Sequence, residues 1–342
     1  MADVVCLGEV LIDFVPSVTP TTLTEAPAFN KAPGGAPANV AVGLARLGVL
    51  TAFMGKVGDD PFGHFLVQTL AEAAVNVAPV RFSSEARTAL AFVSLRADGE
   101  REFMFYRHPS ADMLFEPDEV DANVIRGARL LHYGTISLIS EPSRSATLHA
   151  IDLAREAGCI VSCDPNLRLA LWPDRAAARE GLLHAIAKAD VVKLSDEELR
   201  FLTGSDDPAA ARKQLWHDGL ELMVVTFGAA GCVYFTPDYG GVVVGFGVQA
   251  IDTTGAGDGF VADSCKACWR PGAASRRKRT CVRCAGRPTR SERSPRPSGA
   301  RSRRCRPTIG FAASSMRTRP TDGRNIGLVQ ESEIRAPRRA TA

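Results

Sequence analysis

The chain has 342 residues, of which 45% are hydrophobic and 23% are charged, so it is long enough to bury the core of one large or two modest domains. No run approaches the roughly 20 consecutive apolar residues that span a bilayer. Asp3, Glu9 and Asp13 lie where a signal peptide would be basic and then apolar. These features argue against a membrane protein and predict a soluble protein of the cytoplasm.

The formal net charge of +3 is the sum of two very different parts. Residues 1–262 carry 20 basic and 33 acidic side chains, a net charge of −13, whereas residues 263–342 carry 21 and 5, a net charge of +16. The second part also contains five of the nine cysteines. We therefore interpret residues 1–262 as one domain and residues 263–342 as a separate tail.

Short β-branched runs alternate with helical patterns through the first part, which predicts an α/β fold with a mostly parallel central sheet flanked by helices. The first predicted strand covers residues 4–7, and Asp13 follows it closely. Open α/β sheets bind ligands beyond the carboxyl ends of their strands. Asp13 is therefore a candidate ligand-binding residue, although an ordinary loop carboxylate fits the same pattern.

A helix is predicted to begin after Pro33-Gly34-Gly35 and to end at Gly48. Its small residues permit a close approach between backbone and ligand, and Asn39 offers both a donor and an acceptor to a hydroxyl group. Tight packing of this helix on the sheet would explain the same glycines.

Residues 88–95 and 102–106 are strand-like runs joined by a polar tip, which predicts a hairpin. Such a hairpin between helical units is typical of a lid, whose closure excludes water from a bound ligand. Arg107 follows the hairpin. The pattern allows it either to meet a ligand or to be a solvated surface residue.

Further strands are predicted at 130–134, 159–163 and 191–194. Arg168 follows the second of these strands and is suited to meet a phosphate. Ser195 and Glu198 follow the third, and their spacing favours a helix capping box. The alternative is that the Glu198 carboxylate holds water around Mg²⁺, a metal that keeps several of its waters.

A further strand at 222–226 is followed by Gly228 and Gly231. A nucleotide could approach these glycines closely, and a hairpin into residues 232–235 explains them equally well. The sequence contains neither a G-x-x-x-x-G-K-[ST] loop nor a protein-kinase H-R-D loop, so the commoner phosphate-loop enzymes are disfavoured.

Residues 251–260 form the most informative stretch, because Gly255, Ala256 and Gly257 lead through Asp258 into an apolar run. The pattern predicts a loop that turns into a helix, whose free N–H groups bind an anion. A carboxylate beside a phosphate is unfavourable unless it takes a proton from an attacking hydroxyl. The stretch therefore indicates phosphoryl transfer to an alcohol, with a helix-capping Asp258 as the alternative.

Six stretches together resemble the ribokinase or PfkB family of sugar kinases, and within it the plant-type fructokinases. The similarity extends over roughly residues 3–262. The stretches are residues 8–14, 33–41, 105–114, 164–168, 225–231 and 252–258. The resemblance implies a ribokinase-like fold with a small β-sheet lid, formed by about residues 14–33 and 88–107.

The resemblance also implies a role for each matching residue. Asp258 would be the base that deprotonates the terminal 6-hydroxyl of fructose, and the N–H groups of Gly255, Ala256 and Gly257 would hold the charge of the transferring phosphoryl group. The implied sugar-binding residues are Asp13, Gly34, Gly35, Asn39, Arg107 and Asn166. The implied nucleotide-binding residues are Arg168, Thr226, Gly228 and Gly231.

The implied cofactors are ATP and Mg²⁺, with K⁺ as a monovalent cation. Glu198 would hold Mg²⁺ through water, although Ser195 stands where the family usually has Asn. Asp252 and Thr254 would belong to the cation site, and Gly259 replaces a frequent alanine. The implied partners are fructose, ATP and a second copy of the chain through the lid, with no membrane and no nucleic acid. Another sugar kinase, or a catalytically impaired relative with a binding role, is the alternative.

The resemblance ends after Ala262, where a segment rich in Arg, Pro, Ser and Cys begins. Such a composition buries too little apolar surface to offset the entropy of ordering. The spacing of its cysteines is near that of a zinc ribbon, and its charge suits a nucleic-acid-binding arm. We favour a third interpretation, a C-terminus altered by a shifted frame or an unspliced gene model. The four cysteines whose spacing is near that of a zinc ribbon are Cys265, Cys268, Cys281 and Cys284.

Overall fold

The structure, a computed structural model, describes residues 2–95, 101–246 and 255–268. The strands are β1 (Val4–Leu7), β2 (Leu11–Pro16), β3 (Phe29–Gly34), β4 (Thr51–Gly58), β5 (Val80–Ser83), β6 (Leu90–Leu95), β7 (Arg101–Tyr106), β8 (Leu130–Tyr133), β9 (Ile160–Cys163), β10 (Val191–Ser195), β11 (Leu222–Thr226), β12 (Gly231–Phe235) and β13 (Gly240–Val244). The α-helices are α1 (Ala36–Arg46), α2 (Pro61–Glu72), α3 (Ala122–Arg126), α4 (Ser143–Glu156), α5 (Arg175–Ile186), α6 (Asp196–Thr203), α7 (Pro208–Leu215) and α8 (Ala256–Cys268).

The larger sheet has nine strands in the order β13-β12-β11-β10-β9-β8-β1-β4-β5. The seven strands from β11 to β5 are parallel, and β12 and β13 are added antiparallel at one edge. The predicted α/β fold with a mostly parallel sheet is therefore confirmed. Because the seven strands run in one direction, their carboxyl ends meet at a single edge of the sheet.

Helices cover both faces of this sheet, and β1 shows how the sequence produces that arrangement. All four of its residues are apolar and buried. Val5 and Leu7 face the core formed with α4 and α5, whereas Val4 and Cys6 face the core formed with α1, α2 and α8. A strand buried on both faces needs a continuous apolar run, and successive side chains point to opposite faces.

The smaller sheet has four strands in the order β3-β2-β6-β7. The hairpin predicted at 88–95 and 102–106 is present as β6 and β7, which pair antiparallel. The prediction that Asp13 lies just past a strand end is wrong, because Asp13 is inside β2, opposite Ala32 and Ala91. Strand β1 ends before Gly8 and Glu9, and the apolar run that follows these two residues is β2, a strand of the smaller sheet.

Helix α8 packs closely on α1, and the two helices carry Asp258 and Asn39. A Cβ atom built on Gly43 would lie 2.9 Å from the Cβ of Ala262, so a side chain at position 43 would push the helices apart. Lys266 Nζ donates a hydrogen bond of 2.6 Å to the carbonyl oxygen of Leu47, at the end of α1. This contact fixes α8 beyond the point where the composition changes.

The helix does not end at Ala262 but continues to Cys268. Cys265 and Cys268 are buried, and the Cys265 thiol lies 3.5 Å from Ser162 Oγ. Cys281 and Cys284, the other two cysteines of the predicted zinc-ribbon spacing, lie outside the described residues. Within the described ranges, no helix is both long and apolar enough to cross a membrane.

Candidate active site

The carboxyl ends of the parallel strands carry most of the polar residues of the candidate site. Asp164 follows β9 directly, Glu198 lies in the first turn after β10, and Thr226 ends β11. Ser195 and Thr226 are opposite one another in neighbouring strands. These ends form one edge, and α8 begins in the same neighbourhood, since Asp258 and Asp164 are close enough for the charge of one to affect the pKa of the other.

The start of α8 has the form predicted for an anion site. Gly255 adopts a φ of 74°, in the left-handed region that glycine enters without steric cost. The N–H of Gly259 donates to the Gly255 carbonyl oxygen at 2.9 Å, and the N–H groups before it have no partner within the helix. Free N–H groups and the positive end of the helix dipole favour a bound anion. The prediction of a loop turning into a helix over 255–260 is confirmed.

Asn39 links this helix to α1. Its Nδ2 donates a hydrogen bond of 2.8 Å to Asp258 Oδ2. Its Oδ1 is buried, and no donor in the described part of the chain bonds to it. An unpartnered buried acceptor is costly, so Asn39 Oδ1 is a ready acceptor for a hydroxyl of a bound molecule.

Asp13 and Gly34 lie on neighbouring strands of the smaller sheet. A Cβ atom at Gly34 would overlap Asp13 Oδ2, so the absence of a side chain at position 34 is what makes room for that carboxylate. Position 34 must therefore be glycine for the Asp13 carboxylate to keep its present position.

Two carboxyl groups of the site hold their protons more tightly than usual. Burial raises the pKa of Asp258 to about 6, against the opposing effects of the Asn39 hydrogen bond and the charges of Lys193 and Arg168. Burial likewise raises the pKa of Asp13 to about 6, where Arg168 opposes the rise and Asp258 adds to it. Asp13, Arg168 and Asp258 therefore lie close together, although they come from the small sheet, a loop and a helix.

Gly35 places the start of α1 against Glu9, where the chain passes from the larger sheet to the smaller one. It has a φ of 103°, and a Cβ atom there would lie 2.5 Å from the Glu9 carbonyl oxygen. The N–H of Ala36 donates to Glu9 Oε1 at 3.1 Å. Burial raises the pKa of Glu9 to about 7. Glu9 thus fixes the first turn of α1, from which Asn39 projects one turn later.

Arg107 is buried, with 4% of its surface exposed. Its Nε donates to Asp112 Oδ2 at 3.1 Å, its Nη2 bonds the same oxygen, and Ser110 Oγ donates to Asp112 Oδ1 at 2.5 Å. The alternative of a solvated surface arginine is therefore wrong. The sequence did not indicate that a partner would come from five residues further along. A sugar contact by Arg107 stays a prediction.

The loop after β9 holds Asn166 and Arg168. Asn166 has a φ of 48°, a left-handed conformation that Asn tolerates better than most residues. The Arg168 guanidinium lies 5.5 Å from the ring centroid of Phe103 in β7, so this loop meets the small sheet. Arg168 therefore lies near β7 of the small sheet and near the two acidic groups, Asp13 and Asp258. Its role toward donor phosphates stays a prediction.

Three of the four predicted nucleotide-binding residues lie at the turn between β11 and β12. Gly228 has a φ of 56°, and a Cβ atom there would meet nothing within 4 Å. Gly231 has a φ of 103°, and a side chain there would overlap the Val243 carbonyl oxygen. Thr226 Oγ1 donates to the Leu194 carbonyl oxygen at 3.2 Å. The hairpin is confirmed, Gly231 is required by it, and Gly228 borders open space.

Glu198 is the acceptor for two backbone groups. Its Oε2 accepts from the Ser195 N–H at 2.7 Å, and its Oε1 accepts from the Leu167 N–H at 2.8 Å. Ser195 Oγ accepts from the Glu198 N–H in return, so the predicted capping box is confirmed. Each oxygen keeps a second lone pair, so the residue fits a contact to Mg²⁺ through water.

Asp252 and Thr254, the predicted monovalent-cation residues, lie outside the described residues.

The model of the pfkB family carbohydrate kinases matches residues 1–266. The chain belongs to this family. It is 57% identical over 260 residues to a protein described as "Probable fructokinase-4" from Arabidopsis thaliana, which covers 75% of this chain and 79% of that protein.

Solved structures agree with this assignment. The fructokinase of Xylella fastidiosa with bound ATP superposes with a TM-score of 0.74 at 38% identity, over 83% of this chain and 86% of that one. The fructokinase of Vibrio cholerae O395 with bound fructose, ADP and calcium gives a TM-score of 0.73 at 38% identity, over 83% and 90%. The ribokinase-like fold implied by the sequence is therefore confirmed.

Three charged residues of this pfkB-family site were not identified from the sequence, namely Glu9, Asp164 and Lys193. A usable signal existed for Lys193, which interrupts the apolar run of β10 between Val192 and Leu194. A lysine inside a buried parallel strand needs a buried partner. Asp164 supplies that partner from the end of β9, the neighbouring strand.

Proposed function

We propose that the chain is an ATP-dependent fructokinase that transfers the γ-phosphoryl group of ATP to the terminal 6-hydroxyl of D-fructose. The observation that carries the proposal is Asp258, a buried carboxyl in the first turn of α8 that accepts a hydrogen bond from Asn39 and lies close enough to Asp13 to raise its pKa. The similarity to fructokinases crystallised with ATP and with fructose and ADP supports the choice of substrates.

The chemistry follows from where the groups lie. The sugar hydroxyl gives its proton to Asp258 while its oxygen forms a bond to the γ-phosphorus, and the bond from that phosphorus to the ADP oxygen breaks. The N–H groups of Gly255, Ala256 and Gly257 hold the charge on the transferring group. Asp13 and Asn39 Oδ1 accept hydrogen bonds from other sugar hydroxyls, and this fixes the reacting one in place.

Mg²⁺ would neutralise charge on the nucleotide phosphates when it is bound. Glu198 would hold it through water, because both carboxylate oxygens already accept a backbone hydrogen bond. Arg168, Thr226, Gly228 and Gly231 are proposed to contact the nucleotide, with K⁺ held by Asp252 and Thr254. Asn166 and Arg107 are proposed to support the sugar. The cytoplasmic location stays a prediction.

A homodimer through the small sheet is part of the proposal. Met104 and Tyr106 of β7 lie on one face of the small sheet and expose 42% and 58% of their surfaces, respectively. Exposed apolar side chains grouped on one sheet are typical of an interaction surface. Light scattering at the concentration used for assays tests this point, and a monomer there would contradict it.

Substrate choice is tested by a coupled assay of ADP release with fructose, ribose and 2-keto-3-deoxygluconate at equal concentrations. The proposal predicts the highest kcat/KM for fructose. A higher value for either of the other sugars would assign the chain to a different carbohydrate substrate.

The raised carboxyl pKa values predict how activity depends on pH. Because the base must be ionised, kcat/KM for fructose is expected to fall about tenfold per pH unit below an apparent pKa of about 6, and to be level above it. The apparent value belongs to Asp258 and Asp13 together, since each charge affects the other. A pH profile from 4.5 to 8.5 measures it. Enzyme held at pH 5 and assayed at pH 7.5 is the control for denaturation, and a flat profile from 5 to 7 would contradict the assignment.

A further inference from the structure

Lys193 is a buried cation that the proposed chemistry has not used. It lies in the middle of β10, and its side chain is 13% exposed. Its Nζ donates to Asp164 Oδ1 at 3.2 Å and to Oδ2 at 3.1 Å. An ammonium group has three N–H donors, and no third acceptor for Nζ is found within the described ranges. One donor is therefore available to a bound molecule.

The position of the ammonium group indicates where that donor is used. A Cβ atom built on Gly257 would lie 3.4 Å from Lys193 Nζ, so the ammonium lies directly beside the backbone of the anion site. Asp258 is the next residue, and the charges of Lys193 and Asp258 affect one another's pKa. The free donor thus lies at the point where phosphate and base must meet.

The surrounding charges keep Lys193 protonated. Burial alone would lower the pKa of Lys193, but Asp164, Glu198 and Asp258 raise it above its ordinary value. Its charge also acts on the other buried group nearby, because burial and then Lys193 lower the pKa of His132 to about 3 and leave that imidazole neutral. The ammonium is therefore positively charged at neutral pH.

The balance of charge explains why an anion needs this lysine. Three carboxyl groups, Asp164, Glu198 and Asp258, act on the ammonium, so a phosphate entering beside Gly257 would meet a negative environment without it. A purely structural ion pair is a poor explanation, since an apolar pair of similar volume in a buried strand is often at least as stable. A cation aimed at a developing charge, in contrast, is worth several-fold to orders of magnitude in rate.

We propose that Lys193 donates its third N–H to a γ-phosphoryl oxygen of ATP at Gly257 and neutralises charge there during transfer, with Asp164 as the residue that positions it. The inference rests on the proposed phosphoryl transfer and adds a catalytic residue to it. It makes a specific distinction between nucleotides, because ADP has no γ-phosphoryl group for Lys193 to contact.

The test is calorimetric titration of the full chain and of Lys193→Met with ADP and with AMP-PNP, the ATP analogue whose γ-phosphoryl group is not transferred. Loss of a charge-assisted hydrogen bond should weaken AMP-PNP binding by about tenfold or more, while ADP binding changes less than about twofold. Lys193→Arg should recover part of the AMP-PNP affinity. Lys213→Met, on the exposed face of α7, is the control for loss of a positive charge.

Because Lys193→Met leaves Asp164 as an unpaired buried carboxylate, Lys193→Met/Asp164→Asn is titrated alongside it, and thermal unfolding identifies any variant that does not fold. Equal losses for ADP and AMP-PNP, or no loss for either, in a folded variant would overturn the role of Lys193 and leave the proposed function standing. A wild-type chain that binds neither nucleotide would overturn both. The selective loss of AMP-PNP affinity supports the proposal.

Discussion

Asp258→Asn is expected to lower kcat for fructose phosphorylation by about 10²–10⁴-fold, the usual contribution of a positioned general base. The amide cannot accept the hydroxyl proton, yet its oxygen can still accept the hydrogen bond from Asn39 Nδ2, now 2.8 Å from the carboxylate. Fructose affinity, measured by calorimetry, should therefore change less than about threefold. Steady-state kinetics with saturating ATP measures the turnover.

The matched control is Glu180→Gln, which removes an exposed carboxylate from α5 and should leave both values unchanged. Turnover of Asp258→Asn close to that of the wild type would contradict the assignment of the base.

The same substitution should stabilise the free protein. The folded-state pKa of Asp258 is about 6, above its ordinary value of 3.8, so the folded state binds this proton more tightly than the unfolded state. Stability from this group is present below pH 4 and is lost as pH rises through 6. Asp258→Asn removes that loss and should raise the free energy of unfolding at pH 7 by up to about 3 kcal/mol, with no gain at pH 4. Urea unfolding at the two pH values measures the difference.

Gly34→Ala is expected to weaken fructose binding by about tenfold or more and to lower kcat/KM at least as much, since a displacement of about 1 Å can cost 10²-fold. The added methyl group would overlap Asp13 Oδ2, so the carboxylate must move away from its present position. The backbone at Gly34 does not require glycine, because its φ lies outside the left-handed region. The loss should therefore appear in sugar binding more than in stability.

Gly134→Ala is the matched control, because it also adds one methyl group to a glycine. A Cβ atom at position 134 would lie 3.6 Å from the Asp164 carbonyl oxygen, which is an ordinary contact. Nucleotide affinity serves as a second control, and it should be unchanged in both variants. If Gly34→Ala binds fructose as tightly as Gly134→Ala does, the carboxylate of Asp13 is not a sugar ligand.

The parts of the site that are contiguous in the chain were the ones that the sequence predicted well. Gly255 to Asp258 form one helix start, and Ser195 and Glu198 form one capping box, so local rules determine their geometry. The alternation of strands and helices predicted the parallel sheet in the same way, because a strand buried on both faces must be apolar throughout.

The parts that depend on contacts distant in the chain were not predictable in this way. We predicted Asp13 to follow a strand because the sequence does not show whether two apolar runs separated by Gly8 and Glu9 belong to one sheet or to two. A solvated Arg107 fitted the sequence as well as a ligand contact did, because nothing in the sequence shows that Asp112 returns to cover the guanidinium. Lys193 was overlooked because its partner is 29 residues away and meets it only through the order of the strands.

The most direct test of the account is fructose-dependent ADP release from ATP by the 342-residue chain, assayed beside its Asp258→Asn variant and a chimera in which residues 269–342 are replaced by the corresponding segment of a fructokinase relative. We expect ADP release that requires fructose and is lost in Asp258→Asn. A folded chain and a folded chimera that both fail to release ADP with fructose would contradict it.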